Sequence, residues 1–370
     1  AGDVIELPGE GAEGPGRYRI DRVEQAGPLL VEAVRIEPEV YDTVPFDEEL
    51  PSLRPFVPPV PVLPHFMDLP LLRGDEVPHA PHLAVTAERW PGSVAVYRSG
   101  TDSDYTLNAV LPARSTIGVT QTPLLAARPG LMDNGPVLEV NLTSGTLASV
   151  EREALLNGAN LAAVGDGTAG NWELFQFEEA ELVAPQTYWL RGRLRGQAGT
   201  DALMPEAWPV GSVFVLMNGV PQQLELGRHL RRVAQHYRIG PAQRPVDDPS
   251  YVHEMHAFDG NGLRPYSPCH LRSVTDQNSD ILLNWIRRTR VDGDPWDSPE
   301  VPLGEESESY LLRVLVGGEE QREVMLGSPS WAYSSSARAA DGVAGPFAVE
   351  VAQVSAVYGP GLAARLEVSA

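Results

Sequence analysis

The chain has 370 residues, 42% of them hydrophobic, and its 28 basic residues are all arginine against 50 acidic ones, for a net charge of −22. This length suffices for two or three folded domains, while the charge opposes sequence-independent binding of nucleic acid, which needs a surplus of cations. A single cysteine, Cys269, excludes an internal disulfide framework, and no apolar run predicts a membrane span.

Glycine and proline punctuate the whole chain, with 35 glycines and 34 prolines. Both residues favour turns and shorten helices, so we expect a mainly β protein made of several small sandwich or barrel domains. Residues 1–44 are interpreted as the end of an upstream β domain, because the chain starts without Met inside a strand-like run. Its strand candidates are Val4 to Leu7, Arg17 to Val23 and Leu29 to Ile36.

Residues 45–81 form a segment that contains ten prolines. Proline cannot donate to a sheet ladder and holds the backbone extended, which predicts a semi-rigid linker. The segment also carries apolar residues such as Phe56, Phe66 and Met67. We therefore expect it to lie against a partner surface rather than to remain in water.

Residues 82–268 are predicted to form one β-rich domain, since short apolar runs alternate with turn residues at regular spacing. This density of strands is typical of a sandwich or a barrel. Two helices are predicted, Ser149 to Leu156 with a capping residue at its start and Arg228 to His236. The strand candidates are His82 to Ala87, Ser93 to Tyr97, Thr106 to Leu111, Thr116 to Gln121, Val137 to Leu142, Trp172 to Phe177, Thr187 to Leu194 and Val213 to Met217.

Residues 269–370 alternate apolar and polar side chains, which predicts a sandwich with one inner face per strand. The ending from Phe347 to Gly361 resembles the last two strands of a fibronectin type III domain, and Trp285 resembles the core tryptophan of its second strand. Phe347 lies where that family often has a tyrosine whose hydroxyl fixes a corner, so that hydrogen bond must be absent. The acidic segment from Arg287 to Ser309 is interpreted as a partner-facing loop. The alternating sets are Ile281, Leu283 and Trp285; Tyr310, Leu312, Val314 and Val316; Phe347, Val349 and Val351; Ala364, Leu366 and Val368.

Several short motifs resemble ligand-binding sites, but the residues around them favour purely structural interpretations. Gly9 to Gly14 and Gly165 to Gly170 match the glycine pattern of dinucleotide sites, yet strand-like runs follow where a helix would have to begin. Both are predicted to be hairpin turns. His253 and His256 are three residues apart rather than the four that zinc binding on a helix needs, so a surface or core histidine pair is favoured.

Two further groups could in principle bind metal. Asp292, Asp294 and Asp297 could offer oxygens to calcium, but the loop lacks the glycine and terminal glutamate of an EF-hand, and a solvated acidic loop is favoured. His79 and His82 have no evident third ligand nearby.

The chain is acidic overall, but two arginine-rich runs concentrate positive charge locally. Guanidinium groups suit bidentate pairing with carboxylates, so we expect inter-subunit salt bridges rather than phosphate binding. No nucleophile elbow is present, and no glycosidase pair can be chosen among 50 carboxylates. We therefore expect no enzyme, and no catalytic, cofactor-binding or metal-binding residue. The runs are Arg191, Arg193 and Arg195, and Arg228, Arg231, Arg232 and Arg238.

One long stretch is the most specific feature of the chain. Trp172 to Asp201 resembles the signature of tail-tip proteins of siphophage-like particles, the "megatron" baseplate proteins of bacterial gene transfer agents. Three shorter matches to that family follow in order: His236 to Pro241, Leu263 to Pro268 and Trp285 to Asp294.

The resemblance implies the C-terminal portion of a longer tail-tip protein, with any hydrolase-like domain lying elsewhere. It implies a homotrimer that contacts the hub and distal tail proteins, closes the tail tube, touches the recipient envelope and lets DNA pass without specific binding. Such a protein would be assembled in the bacterial cytoplasm and released in the particle. The alternative is a carbohydrate- or receptor-binding protein of several β modules.

Overall fold

The computed structural model describes residues 2–9, 15–25, 27–41, 60–293 and 301–369. The chain divides into two compact units, Ala1–Val57 and Pro58–Ala370, and strands dominate both. The prediction of a mainly β protein is confirmed. No helix within the described ranges is long and apolar enough to cross a membrane.

The first unit is a three-stranded antiparallel sheet in the order β1-β2-β3, followed by a 3-10 turn at Pro38–Tyr41. Its strands are β1 (Val4–Leu7), β2 (Gly16–Gln25) and β3 (Leu29–Arg35), as predicted. Leu29, Leu30 and Val34 are exposed, at 64%, 58% and 54% of their surface. This small sheet therefore leaves much of its apolar surface uncovered by the described residues.

The second unit begins with sixteen strands, of which seven form a sandwich and six a barrel. These strands are β4 (Leu63–Met67), β5 (His82–Thr86), β6 (Val94–Ser99), β7 (Thr106–Leu111), β8 (Ile117–Thr120), β9 (Leu124–Leu125), β10 (Met132–Asp133), β11 (Leu138–Leu142), β12 (Leu161–Gly165), β13 (Trp172–Ala184), β14 (Thr187–Gln197), β15 (Ala207–Trp208), β16 (Val213–Leu216), β17 (Gln222–Gln223), β18 (Gln235–Pro241) and β19 (Val252–His256). Outside the sandwich and the barrel, β10 pairs with β14 and β9 pairs with β15.

The sandwich joins the sheet β17-β5-β4 to the sheet β19-β18-β6-β7. Apolar side chains from both sheets share one core, in which the Phe66 and Tyr237 rings lie 4.9 Å apart. The linker predicted up to residue 81 is therefore wrong for its second half. β4 pairs with β5 in register, because Phe66 and Met67 supply core side chains that outweigh the proline content. Residues 45–59 of that prediction lie outside the described residues.

The barrel is inserted between β7 and β17 of the sandwich. Its six strands run in the order β14-β11-β8-β16-β12-β13, and β13 pairs back with β14 to close the ring. Closure leaves no unpaired barrel edge. Phe175, Phe177 and Phe214 fill the interior, while Ile117 and Trp172 pack with Met67 of the sandwich sheet. The predicted single domain over residues 82–268 thus contains both architectures.

The last seven strands form the predicted fibronectin type III-like sandwich. The sheet β20-β21-β24 packs on β23-β22-β25-β26, and Trp285 lies in the shared core. The Tyr333 hydroxyl donates to Asp341, which also pairs with Arg322. The strands are β20 (Cys269–Thr275), β21 (Ile281–Ile286), β22 (Tyr310–Val316), β23 (Glu319–Leu326), β24 (Ser330–Tyr333), β25 (Phe347–Ser355) and β26 (Gly359–Val368).

Of the two helix predictions, the first is confirmed in part and the second is not. A short helix, α1 (Arg152–Leu156), lies within the first prediction, but Ser149 does not cap it and instead exchanges hydrogen bonds with the backbone of Ala180. The second prediction is wrong. Arg228–Leu230 is one 3-10 turn and β18 begins at Gln235, because pairing with β6 places Tyr237 and Ile239 in the sandwich core. A second helix, α2 (Ser335–Ala340), was not predicted.

Candidate functional site

Charged side chains are buried inside one end of the barrel. Arg195 and Glu173 have no exposed surface and form a bidentate pair, with Nε to Oε1 at 2.7 Å and Nη2 to Oε2 at 2.8 Å. The indole Nε1 of Trp208 donates to Glu173 Oε2 at 2.6 Å. Arg193 is 2% exposed and its Nε lies 2.9 Å from Asp133 Oδ2. All these charges are compensated, as burial in a low-dielectric interior requires.

The prediction of inter-subunit salt bridges is therefore wrong for Arg193 and Arg195, and it stays a prediction for the more exposed arginines of the two runs. The β13–β14 hairpin places the carboxylates of Glu173 and Glu181 beside the guanidiniums of Arg195 and Arg191 within one chain. In the second run, Arg232 Nε pairs with Asp259 Oδ1 at 2.9 Å, and Arg231 Nη2 donates to the carbonyl of Val357 at 2.8 Å. The latter contact ties the first sandwich to the fibronectin-like one.

The far end of the same hairpin is exposed. We call residues 181–187 the hairpin tip. Leu182 is 61% exposed and Val183 36%, although both belong to a continuous strand. Apolar residues at the end of a rigid hairpin form a candidate contact surface for another protein. The tip lies within the stretch that carries the resemblance to tail-tip proteins, Trp172 to Asp201.

A second polar group lies on the sandwich sheet, where Asp102, His236 and His253 meet. One ligand atom from each residue lies within 4.8 Å of the other two. The sequence prediction paired His253 with His256, which a strand places on opposite faces because side chains alternate. His256 instead stacks on Phe258 and donates or accepts a hydrogen bond with Glu254 at 2.7 Å. Histidines on one face of two paired strands were the signal that could have found this group.

The remaining motifs have structural explanations. Gly165–Gly170 is a hairpin turn, as predicted, in which Asp166 accepts bonds from Thr168 and Asn171. Of the segment Gly9–Gly14, only Gly9 belongs to the described residues. His79 Nε2 contacts the carbonyl of Leu226 at 3.0 Å, and His82 is buried in the sandwich.

The alternative of calcium ligands in the acidic loop stays untested. Asp294 and Asp297 lie outside the described residues, so the calcium alternative at Asp292 cannot be placed. Cys269 is half-buried at the start of β20, and this burial raises the pKa of its thiol. The loop from Arg287 partly docks on its own chain, since Arg290 Nη1 donates to the carbonyl of Gly262 at 3.2 Å.

A comparison with protein families finds a match over the residues of the barrel. Residues 115–215 match a family described as "Rcc01698-like, C-terminal". That name is associated with the gene transfer agent of Rhodobacter capsulatus, so the match is compatible with a tail protein of such a particle. It suggests a structural protein related to gene transfer agents. No curated protein matches the chain.

Similar solved structures include domains of rat CD45 and of chicken CNTN1. Domains d3-d4 of the rat CD45 extracellular region share 11% identity, with 40% of this chain and 68% of that chain covered and a TM-score of 0.22. The FN1-FN3 domains of chicken CNTN1 share 9% identity, with 84% and 98% covered and a TM-score of 0.22.

Proposed function

We propose that this chain is a non-catalytic structural part of the tail tip of a gene transfer agent, where it helps to close the tail tube, contact the recipient envelope and deliver DNA. The observation that carries this proposal is the coincidence between the matched residues 115–215 and the closed barrel, whose strands run from Ile117 to Leu216. A barrel without open edges is a rigid body suited to a repeated assembly. In this proposal the chain is a homotrimer, assembled in the cytoplasm and carried at the tail tip.

The exposed apolar surfaces supply contacts for such an assembly. Leu182 and Val183 at the hairpin tip would meet neighbouring tail proteins such as the hub and distal tail proteins. Leu29 and Leu30 of the N-terminal sheet offer a second apolar surface. Soluble proteins rarely leave such residues grouped unless another molecule covers them.

Charge supports passage of DNA rather than its binding. The chain carries a net charge of −22, and two of its arginines, Arg193 and Arg195, are buried against carboxylates. Phosphate backbones are therefore repelled at long range and find no surplus of cations at this end of the barrel.

Particle assembly tests the proposal. A bacterium that makes the particles would carry Leu182→Asp at the hairpin tip or, as a control, Leu107→Asp on β7, where the leucine is 56% exposed. A charge placed in a packed contact costs more than about 1.4 kcal/mol, which is roughly tenfold in a binding constant. We expect the tip variant to lower gene transfer at least by that factor and the control to leave it unchanged.

Location is the decisive readout. Immunogold labelling of this chain should decorate one end of the tail in purified particles. Label on the capsid, or particles that transfer DNA normally without the chain, would overturn the proposal.

A receptor- or carbohydrate-binding role is the second candidate, favoured by the two sandwiches and their long loops. Binding of the purified chain to defined glycans on an array, together with unchanged particle assembly in its absence, would favour this role.

A further inference from the structure

The group formed by Asp102, His236 and His253 is built by three separate segments. His236 lies on β18 and His253 on β19, and the register pairs Arg238 with His253, so the two imidazoles are diagonal neighbours on one face. Asp102 comes from the loop between β6 and β7, and β6 is the other neighbour of β18. The antiparallel sheet therefore brings together ligand atoms that lie far apart in sequence.

The distances suit a tetrahedral metal ion. His236 Nδ1 lies 3.1 Å from His253 Nε2, and Asp102 Oδ1 lies 3.7 Å from the same His253 Nε2. Zinc bonds of about 2.0–2.1 Å at tetrahedral angles place neighbouring ligand atoms roughly 3.3 Å apart. An ion can thus bind with small side-chain movements, replacing the contact between the two imidazole nitrogens.

The loop that carries Asp102 is shaped to present it. Asp102 and Asp104 both have left-handed backbones, with φ of 56° and 50°, a conformation rare outside glycine and frequent at functional sites. The Ser99 hydroxyl bonds to the Ser103 carbonyl and accepts the N–H of Thr101 at 3.1 Å, which fixes the turn.

Tyr105 and Arg238 orient the carboxylate of Asp102. The Tyr105 hydroxyl donates to Asp102 Oδ1, and Arg238 Nη2 lies 3.7 Å from that oxygen while its guanidinium stacks 5.0 Å from the Tyr105 ring. Ligating carboxylates are commonly held by outer hydrogen bonds of this kind. The positive charge of Arg238 also opposes a cation, so the affinity should be moderate.

We propose that Asp102, His236 and His253 form a binding site for a divalent transition-metal ion, with zinc as the first choice. Two imidazoles and one carboxylate are the ligand set that such ions prefer, whereas magnesium and calcium favour oxygen alone. Asp102 and His253 are 45% and 42% exposed, so an ion can enter and water can complete its coordination. The bound ion would fasten the Asp102 loop to the β18–β19 hairpin. This inference goes beyond the proposed function and does not depend on it.

Zinc titration of the full chain tests the site. Tag-free protein would be titrated with zinc chloride by calorimetry, and with cobalt(II), whose visible absorption reports tetrahedral coordination. We expect one ion per chain with micromolar affinity. His236→Ala and His253→Ala should each weaken binding at least tenfold, and Asp102→Asn by a smaller factor. All three residues are at the surface, and circular dichroism verifies that the variants fold.

The matched control is His229→Ala, which removes an exposed imidazole outside the group. Binding should be unchanged in this variant. Absence of saturable zinc binding, equal loss in the control, or full retention in the His236→Ala/His253→Ala double variant would each overturn the proposal.

Discussion

Asp68 is a buried carboxylate that ties two distant segments together. Its two oxygens accept the backbone N–H groups of Gly260 at 2.9 Å and Asn261 at 2.7 Å, and the Asn261 amide donates back to the Asp68 carbonyl at 2.7 Å. Desolvation raises the pKa of Asp68 from the ordinary 3.8 to about 6, although the backbone hydrogen bonds act in the opposite direction. The ionised form is thus disfavoured in the folded state relative to the unfolded chain.

The stability of the protein should consequently depend on pH through Asp68. Because the folded pKa lies above the unfolded value, the stabilisation is fully present below about 3.8 and is lost as the pH rises through about 6. Between pH 7 and pH 5 the native chain should gain about 1 kcal/mol relative to Asp68→Asn. Urea unfolding of both proteins at the two pH values measures this difference. A difference that stays constant, or that shrinks on acidification, would contradict the assignment.

At the scale of elements, the β13–β14 hairpin has two contrasting ends. At its start, Glu173 pairs with Arg195 and neither side chain is exposed. Near its tip, Glu181 pairs with Arg191 at 2.8 Å, with 57% and 36% of their side chains exposed. The two carboxylates lie on the same strand and each contacts an arginine of β14, so they form a matched pair that differs in burial.

Substitution of the two glutamates should therefore have unequal effects. Glu173→Gln removes the bidentate partner of the buried Arg195 and leaves it only Asp133 as a counter-ion, whose Oδ2 lies 3.6 Å from Arg195 Nη1, so we expect the free energy of unfolding to fall by about 3 kcal/mol. Glu181→Gln removes an exposed pair and should change it by less than about 0.5 kcal/mol. Thermal and urea unfolding measure both. Similar losses in the two variants would show that burial is not what distinguishes them.

At the scale of the whole molecule, alternation of apolar and polar residues predicts strands that bury one face. Ile281, Leu283 and Trp285 alternate with polar residues, and all three lie in the core of the fibronectin-like sandwich. The local pattern predicted this strand because β21 buries one face and exposes the other. The β18 strand was missed because its pairing with β6 depends on residues far away in sequence.

The candidate sites were less accessible to sequence reasoning for the same reason. Asp102 approaches His236 only through the sheet pairing, and Glu173 meets Trp208 only because the barrel closes. Closure of the barrel and its insertion into the sandwich depend on the order in which the strands pair. The local periodicity of a sequence carries no information about that order.

The fibronectin-like sandwich docks on the rest of its unit through Arg288. The guanidinium Nη1 contacts both oxygens of Asp201 at 2.9 and 3.0 Å, and the backbone N–H of Arg288 donates to Gln353 Oε1 at 2.8 Å. Gln353 Nε2 in turn donates to the carbonyls of Tyr266 and Arg288 at 2.9 and 2.8 Å. The connection at this point is therefore polar, and it is separate from the contact that Arg231 makes with the carbonyl of Val357, so it should open locally when Arg288 is removed.

Arg288→Ala should accordingly loosen this junction without unfolding either module. A partly exposed charge-assisted contact contributes about 1 kcal/mol, which corresponds to roughly five-fold faster opening. Hydrogen–deuterium exchange should accelerate by that factor in the peptides that cover Tyr266 and position 288, while the amides of β22 and β25 keep their protection. Arg272→Ala, an exposed arginine on β20, is the control and should leave exchange unchanged. Acceleration throughout the sandwich would mean that Arg288 stabilises the module itself, whereas an unchanged junction would mean that apolar contacts alone hold the two parts together.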